Sequence, residues 1–135
     1  MDIIKLILNM NYFEDLERIT LGNDNFRTVI STAPHSQLVL MSLLPGEDIG
    51  EEVHQLDQFI RVEKGSGKAI LNGEQFTLHD GSAIVVPQGA RHNIINTSAN
   101  EKMKLYTVYS PSQHPDGTIH KTKADAMADE NDRPH

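Results

Sequence analysis

Between Phe26 and Tyr109 the chain is interrupted every few residues by residues that end regular structure, which leaves no room for a long helix. Pro45-Gly46, Lys64-Gly65-Ser66-Gly67, Asn72-Gly73, Asp80-Gly81 and Pro87-Gln88-Gly89 each close a short apolar run. The runs between them predict strands over Phe26–Thr32, Gln37–Leu44, Gly50–His54, Phe59–Glu63, Lys68–Leu71, Gln75–Leu78, Ala83–Val86, His92–Asn96 and Lys102–Tyr109. Asn72-Gly73 is the strongest hairpin signal, because both central residues of a type I′ turn take positive φ. No long segment carries an apolar stripe of helical period. Asn11–Arg18 reads as one or two helical turns and Lys121–Asp129 as a short helix. The pattern is that of an all-β sandwich or barrel in a single domain. We divide the chain into a short N-terminal extension (1–25), a β-barrel (26–110) and a polar C-terminal tail (111–135), with the first nine residues dispensable.

Composition removes several function classes. Twelve Lys and Arg against 19 Asp and Glu give a net charge of −7, the wrong sign for a nucleic-acid partner. The absence of cysteine excludes disulfides, thiolate nucleophiles and cysteine-ligated zinc, and fits a reducing compartment. The opening MDIIKLILN is too short to span a bilayer, and it lacks both a basic start and a small-residue cleavage site. The expectation is a cytoplasmic protein with no membrane partner.

The chemistry-bearing residues are Glu52, His54, Gln58 and His92. Glu52 and His54 are two apart, so on an extended strand they share a face. Two imidazoles, a carboxylate and an amide oxygen suit a divalent metal ion. Taken alone, Glu52 lies in an acidic run (Glu47, Asp48, Glu51, Glu52), where a solvated side chain is the ordinary outcome.

The surrounding motifs reverse that reading. Gly46–Gly65 (GEDIGEEVHQLDQFIRVEKG) resembles the first motif of cupins, G-x5-H-x-H-x3-E-x6-G, with Glu52 at the first His position and Gln58 at the Glu position. Gly81–Asn96 (GSAIVVPQGARHNIIN) matches every defined position of the second, G-x5-P-x-G-x2-H-x3-N. The chain is similar to small single-domain cupins of the mannose-6-phosphate isomerase-like type. The resemblance implies a jelly-roll barrel and a homodimer. It also implies a divalent transition metal (iron, manganese, zinc or nickel) held by Glu52, His54, Gln58 and His92. The usual set of three His and one Glu is altered: the carboxylate has moved to the first position, and an amide replaces it at the third. Glu52, His54 and His92 alone form a 2-His-1-carboxylate triad, leaving Gln58 as a weak fourth ligand or a hydrogen-bonding neighbour.

These readings point to a small metal-dependent enzyme of oxygenase, isomerase or decarboxylase type, acting on a small polar metabolite at the barrel mouth. The alternative is a non-catalytic module that binds a metabolite or a metal. No catalytic residue is assigned. Phosphosugar isomerisation is the least supported, since no inward basic residue is evident. His35, His79, His114, His120 and His135 fall in turns or the tail and read as solvated; a tail whose first part folds back over the barrel, carrying His114 and His120 to its mouth, is the disfavoured alternative. Alternation points Arg91 away from the metal, and Lys102 and Lys104 suggest that Tyr109 faces inward and Tyr106 outward.

Overall fold

The computed structural model describes residues 11–132, so the expectation for the first nine residues lies outside the described ones. Helix α1 (Leu16–Gly22) starts where Asp15 caps it, its side chain accepting the Arg18 amide. That cap explains why the helix lies later than Asn11–Arg18. Nine strands follow among the described residues: β1 (Arg27–Thr32), β2 (Gln37–Leu43), β3 (Asp57–Lys64), β4 (Gly67–Leu71), β5 (Glu74–Leu78), β6 (Ala83–Val86), β7 (His92–Asn96), β8 (Met103–Ser110) and β9 (Ile119–His120). Helix α2 (Lys123–Ala128) closes the described chain and carries a capping box between Thr122 and Asp125.

The strands form two antiparallel sheets, one in the order β6-β3-β8-β2-β1-β9 and one in the order β5-β4-β7. Together they make a jelly-roll barrel. Asn72 and Gly73 take φ of 48° and 84° and join β4 to β5, the expected type I′ hairpin. At Gly67 a Cβ would stand 2.1 Å from the Ile95 carbonyl oxygen, so only glycine lets β4 lie this close to β7. The interior between the sheets is apolar: Met41, Leu43, Val62, Met103 and Leu105 are fully buried. Each such side chain contributes about 1.5–3 kcal/mol of burial free energy, which makes this layer the main support of the site above it.

Three expectations fail. The segment 50–54 is not a strand; isolated bridges pair Asp48 with Ile95 and Glu52 with His92, and Gly50, at φ 110°, breaks the extended run between them. Lys104 lies on the outer face of β8 as expected, but it is buried there because its Nζ donates to the Asn23 carbonyl and the Asp24 carboxylate beyond the end of α1. The residues after Ser110 turn back onto the barrel: β9 pairs with β1, placing His120 opposite Arg27, and His114 and His120 are buried rather than solvated. His35 and His79 are exposed as expected, and His135 lies outside the described residues. Among the described residues no helix is long and apolar enough to cross a membrane.

Candidate metal centre and the cavity above it

The two sequence motifs meet through their backbones. Glu52 and His92 exchange both of their backbone hydrogen bonds at 2.9 Å, and the Gly89 amide donates to the His54 carbonyl at 2.9 Å. This stitching sets the 52–54 segment against the start of β7 without a regular strand. Gln58 reaches the same region from β3, which pairs it with Tyr109 on β8. Asn96, the last defined residue of the second motif, is structural: its Nδ2 donates to the carbonyls of Leu43, Leu44 and Glu101, tying β7 to two loops.

The side chains converge in a buried setting. His54, Gln58 and His92 are 2%, 4% and 4% exposed. The His54 and His92 ring centroids lie 5.2 Å apart, and the edge of Tyr109 meets His54 at 5.9 Å. Glu52 Oε2 stands 3.1 Å from His54 Nε2, but off the line of a ring N–H, so neither His54 nitrogen makes a hydrogen bond. Gln58 uses its Nε2 to donate to Thr107 Oγ1 at 2.9 Å, while its Oε1 is buried without a partner. His92 Nδ1 lies 3.0 Å from the Ala90 carbonyl, which fixes the proton on Nδ1 and leaves the lone pair on Nε2. A metal-ligating imidazole commonly has this arrangement.

The local electrostatics agree. Burial alone would raise Glu52, but the adjacent His54, with further pull from Arg27 and His92, brings its carboxyl below the ordinary value and keeps it ionised. Burial lowers His92, reinforced by His54 and opposed by Ala90 and Glu52, so its imidazole is neutral near pH 7. Burial, together with the charge of Glu52, pushes the Tyr109 hydroxyl far above its ordinary range. Orphaned buried acceptors, a neutral imidazole with an aimed lone pair and an ionised carboxylate make a donor set that fits a divalent ion.

A second histidine–carboxylate group lies in the returning tail. Among the described residues it is His120, Asp129 and Asp132 whose donor atoms all stand within 4.8 Å of one another. Closing the barrel set on one ion therefore requires its donors to draw nearer than they stand. The tail group is already occupied by protein partners. Arg27 Nη1 is 3.1 Å from His120 Nδ1, and Asp129 Oδ2 is 2.9 Å from His120 Nε2. His114 Nδ1 is 2.8 Å from both oxygens of Asp132, and its Nε2 is 3.4 Å from the Tyr109 hydroxyl. Burial and the Arg27 charge lower His114 to about 4 against the opposing pull of Asp132, so His114 is neutral and donates from Nδ1.

Two spaces reach the barrel set. A cavity of about 320 Å³ is lined by Glu52, Arg27, His114, Lys123 and Asp132. A larger outer groove of about 710 Å³ touches His92 and is rimmed by exposed Glu51, Asn72 and Arg91. Arg91 points outward as alternation predicts, 3.3 Å from Glu51. The smaller cavity has the chemistry, because it brings buried charged groups to the carboxylate of the metal set. Arg27 and His114 were not singled out from the sequence as pocket residues. Arg27 had a usable signal, since it shares the inward face of β1 with buried Val29. His114 had none, because its position depends on the tail's return.

The Cupin domain family profile matches residues 39–109. The chain is 49% identical over 124 residues to the uncharacterized protein YrkC of Bacillus subtilis, covering 86% of this chain and 66% of that relative, so it spans just under two thirds of YrkC. It is 48% identical over 120 residues to the uncharacterized protein L612 of Acanthamoeba polyphaga mimivirus, covering 84% of this chain and 75% of that one. Its fold is similar to the crystal structure of BH2720 from Bacillus halodurans, with a TM-score of 0.84, 43% identity and coverage of 87% of this chain and 94% of the other. The chain belongs to the cupin family. Its described residues form one cupin barrel.

Proposed function

We propose that this cupin binds a divalent transition metal through Glu52, His54, Gln58 and His92. We read it as a small metal-dependent enzyme of oxygenase, isomerase or decarboxylase type, acting on a small polar metabolite at the barrel mouth. One observation carries the reading: Nδ1 of His54 and Oε1 of Gln58 are buried without hydrogen-bond partners at family ligand positions, and Nε2 of His54 meets only the Glu52 carboxylate, at 3.1 Å. Each unsatisfied buried polar atom costs about 1–3 kcal/mol, and a bound ion would remove that cost. Glu52 and the two imidazoles would hold the ion, and Gln58 would add its amide oxygen while Thr107 orients it. A bound ion would supply Lewis acidity toward a substrate oxygen, or dioxygen activation if it is iron. Tyr109 fixes the plane of His54, and Ala90 fixes the tautomer of His92.

The test is elemental analysis of protein purified without added metal. Near-stoichiometric transition metal, lost on His54→Ala with His92→Ala, is the expected result. A metal-free protein with an intact cavity would leave the non-catalytic binding module as the reading. If the metal is iron, substrate-dependent oxygen consumption separates oxygenase from isomerase chemistry. The same reading places the protein in the cytoplasm as a homodimer, with exposed Phe76 and Val85 on β5 and β6 as the contact face, checked by sedimentation of Val85→Lys.

A further inference from the structure

The cavity above the barrel contains a buried cation whose donors are mostly unused. Arg27 opens β1 with its side chain turned inward, where it is 9% exposed. A guanidinium has five N–H donors, and burying it is costly unless they are paired. Nη1 has the His120 imidazole at 3.1 Å, which is a hydrogen bond but not a counter-charge. The carboxylate paired with it, Asp132, stands 4.0 Å away, and Nε is buried with no partner. Asp132 is instead drawn toward His114, whose Nδ1 lies 2.8 Å from both of its oxygens. Glu52, across the same cavity, is turned to His54, and Lys123 on the rim is held by Asp48. A planar, desolvated, under-paired cation therefore faces a half-open space whose lining also carries a member of the metal set.

We propose that this cavity binds a small carboxylic acid, its carboxylate paired with Arg27 and its remaining oxygens directed toward Glu52 and the barrel donors. The fork of a guanidinium matches a carboxylate through two parallel hydrogen bonds. A phosphate dianion fits less well, since Glu52 and Asp132 line the same space and would repel its second charge. The volume of about 320 Å³ is near the lower end for ligand sites, which limits the occupant to a few carbons. Hydroxy and keto acids suit the arrangement best, because they present one oxygen beyond the carboxylate. That last preference rests on the metal-dependent reading above; the pairing with Arg27 does not.

The experiment titrates glycolate, lactate and α-ketobutyrate, each against its own primary amide, onto the wild-type protein with and without manganese(II), followed by protein NMR. At least one acid should bind at least tenfold more tightly than its amide. Arg27→Met should abolish that preference, and Arg27→Lys should keep only part of it, since an ammonium lacks the fork. Manganese affinity, read from the free-ion resonance in electron paramagnetic spectra, should not weaken in either variant. No acid-over-amide preference in the wild type overturns the proposal, as does a preference left unchanged in Arg27→Met. If Arg27→Met does not fold, an undiminished preference in Arg27→Lys overturns it instead. A wild type that binds no manganese, and holds no transition metal by elemental analysis, but keeps an Arg27-dependent preference refutes the metal reading and upholds this one. Normal manganese binding without any preference does the reverse.

Discussion

The barrel and the returning tail each bring histidines together with carboxylates, yet their hydrogen-bond states are opposite. In the tail all four ring nitrogens are engaged: those of His114 by Asp132 and Tyr109, those of His120 by Arg27 and Asp129. In the barrel neither nitrogen of His54 has a hydrogen bond, and the amide oxygen of Gln58 has none either. Residue type and proximity alone would favour the tail, where three donor atoms lie within 4.8 Å of one another. Charge and pairing favour the barrel. A guanidinium already stands beside the tail acids, so a further cation would meet repulsion and would have to displace protein hydrogen bonds. A metal entering the barrel set would displace only the Glu52–His54 contact, and would replace it with ligation of both groups. What separates a ligand site from an ion-pair network here is whether the donors have been used.

Replacing the imidazoles in each region breaks that comparison most directly. His54→Ala with His92→Ala should reduce bound transition metal to background by elemental analysis, a loss beyond the roughly 10–100-fold that even outer-shell changes produce. His120→Ala should retain the wild-type metal content. Equal loss in both variants would erase the distinction.

The next effect is on stability and falls on the tail. Asp132→Ala removes the carboxylate partner of His114 and the ion-pair partner of buried Arg27. Breaking a buried charge network from one side costs about 3 kcal/mol or more. Urea unfolding should show that loss at unchanged slope, with metal content intact. A change below about 0.5 kcal/mol would place Asp132 among ordinary surface positions and remove the tail's claim to be a structural network.

How far the sequence carried this picture follows from the kind of information each feature needs. The barrel strands were legible because Gly and Pro punctuation acts locally; β6 and β7 occur at the predicted bounds and Asn72-Gly73 makes the predicted turn. The ligand positions were nameable from spacing within two motifs, and the Glu52–His92 bridge brings those motifs together. Their hydrogen-bond state was not legible, because an unpartnered nitrogen on His54 is a fact about neighbours distant in sequence. The same limit hid the tail. His114 and His120 sit among turn formers, and only the pairing of β9 with β1 carries them inward. Lys104 deceived for a related reason: alternation gave its face correctly, but a face is not an exposure, and the Asn23–Asp24 corner covers it.

A smaller effect should appear on acidification. Burial lowers His114 from 6.5 to about 4, so the unfolded chain takes up the proton first as pH falls. Stability contributed by neutral His114 is present above pH 6.5, declines as pH drops through the window to about 4, and is flat below it. The expected loss is about 2 kcal/mol, below the full linkage because water in the adjoining cavity screens the charged form. Chemical denaturation across this window should show a slope that flattens in His114→Phe. The ionised Glu52 adds to acid sensitivity only below its ordinary 4.5, because its carboxyl is lowered in the folded state. An identical slope in His114→Phe would assign the acid response to other groups.

The smallest effect tests the most ambiguous residue. Gln58 donates to Thr107 through Nε2 and leaves Oε1 buried without a partner, so it is at once a bonded neighbour and a candidate ligand. Thr107→Val removes the acceptor and leaves a buried amide donor unsatisfied, at about 1 kcal/mol in unfolding measurements. If Oε1 ligates, losing the anchor also loosens its aim, and metal affinity should fall by about tenfold, as for other outer-shell orienting groups. Gln58→Leu should then weaken the metal by at least as much. Should both variants keep full affinity, Glu52, His54 and His92 suffice as a facial triad and Gln58 belongs with the tail histidines, its polar atoms serving the fold. Should Gln58→Leu weaken binding while Thr107→Val does not, the amide ligates but finds its orientation from the ion rather than from the protein.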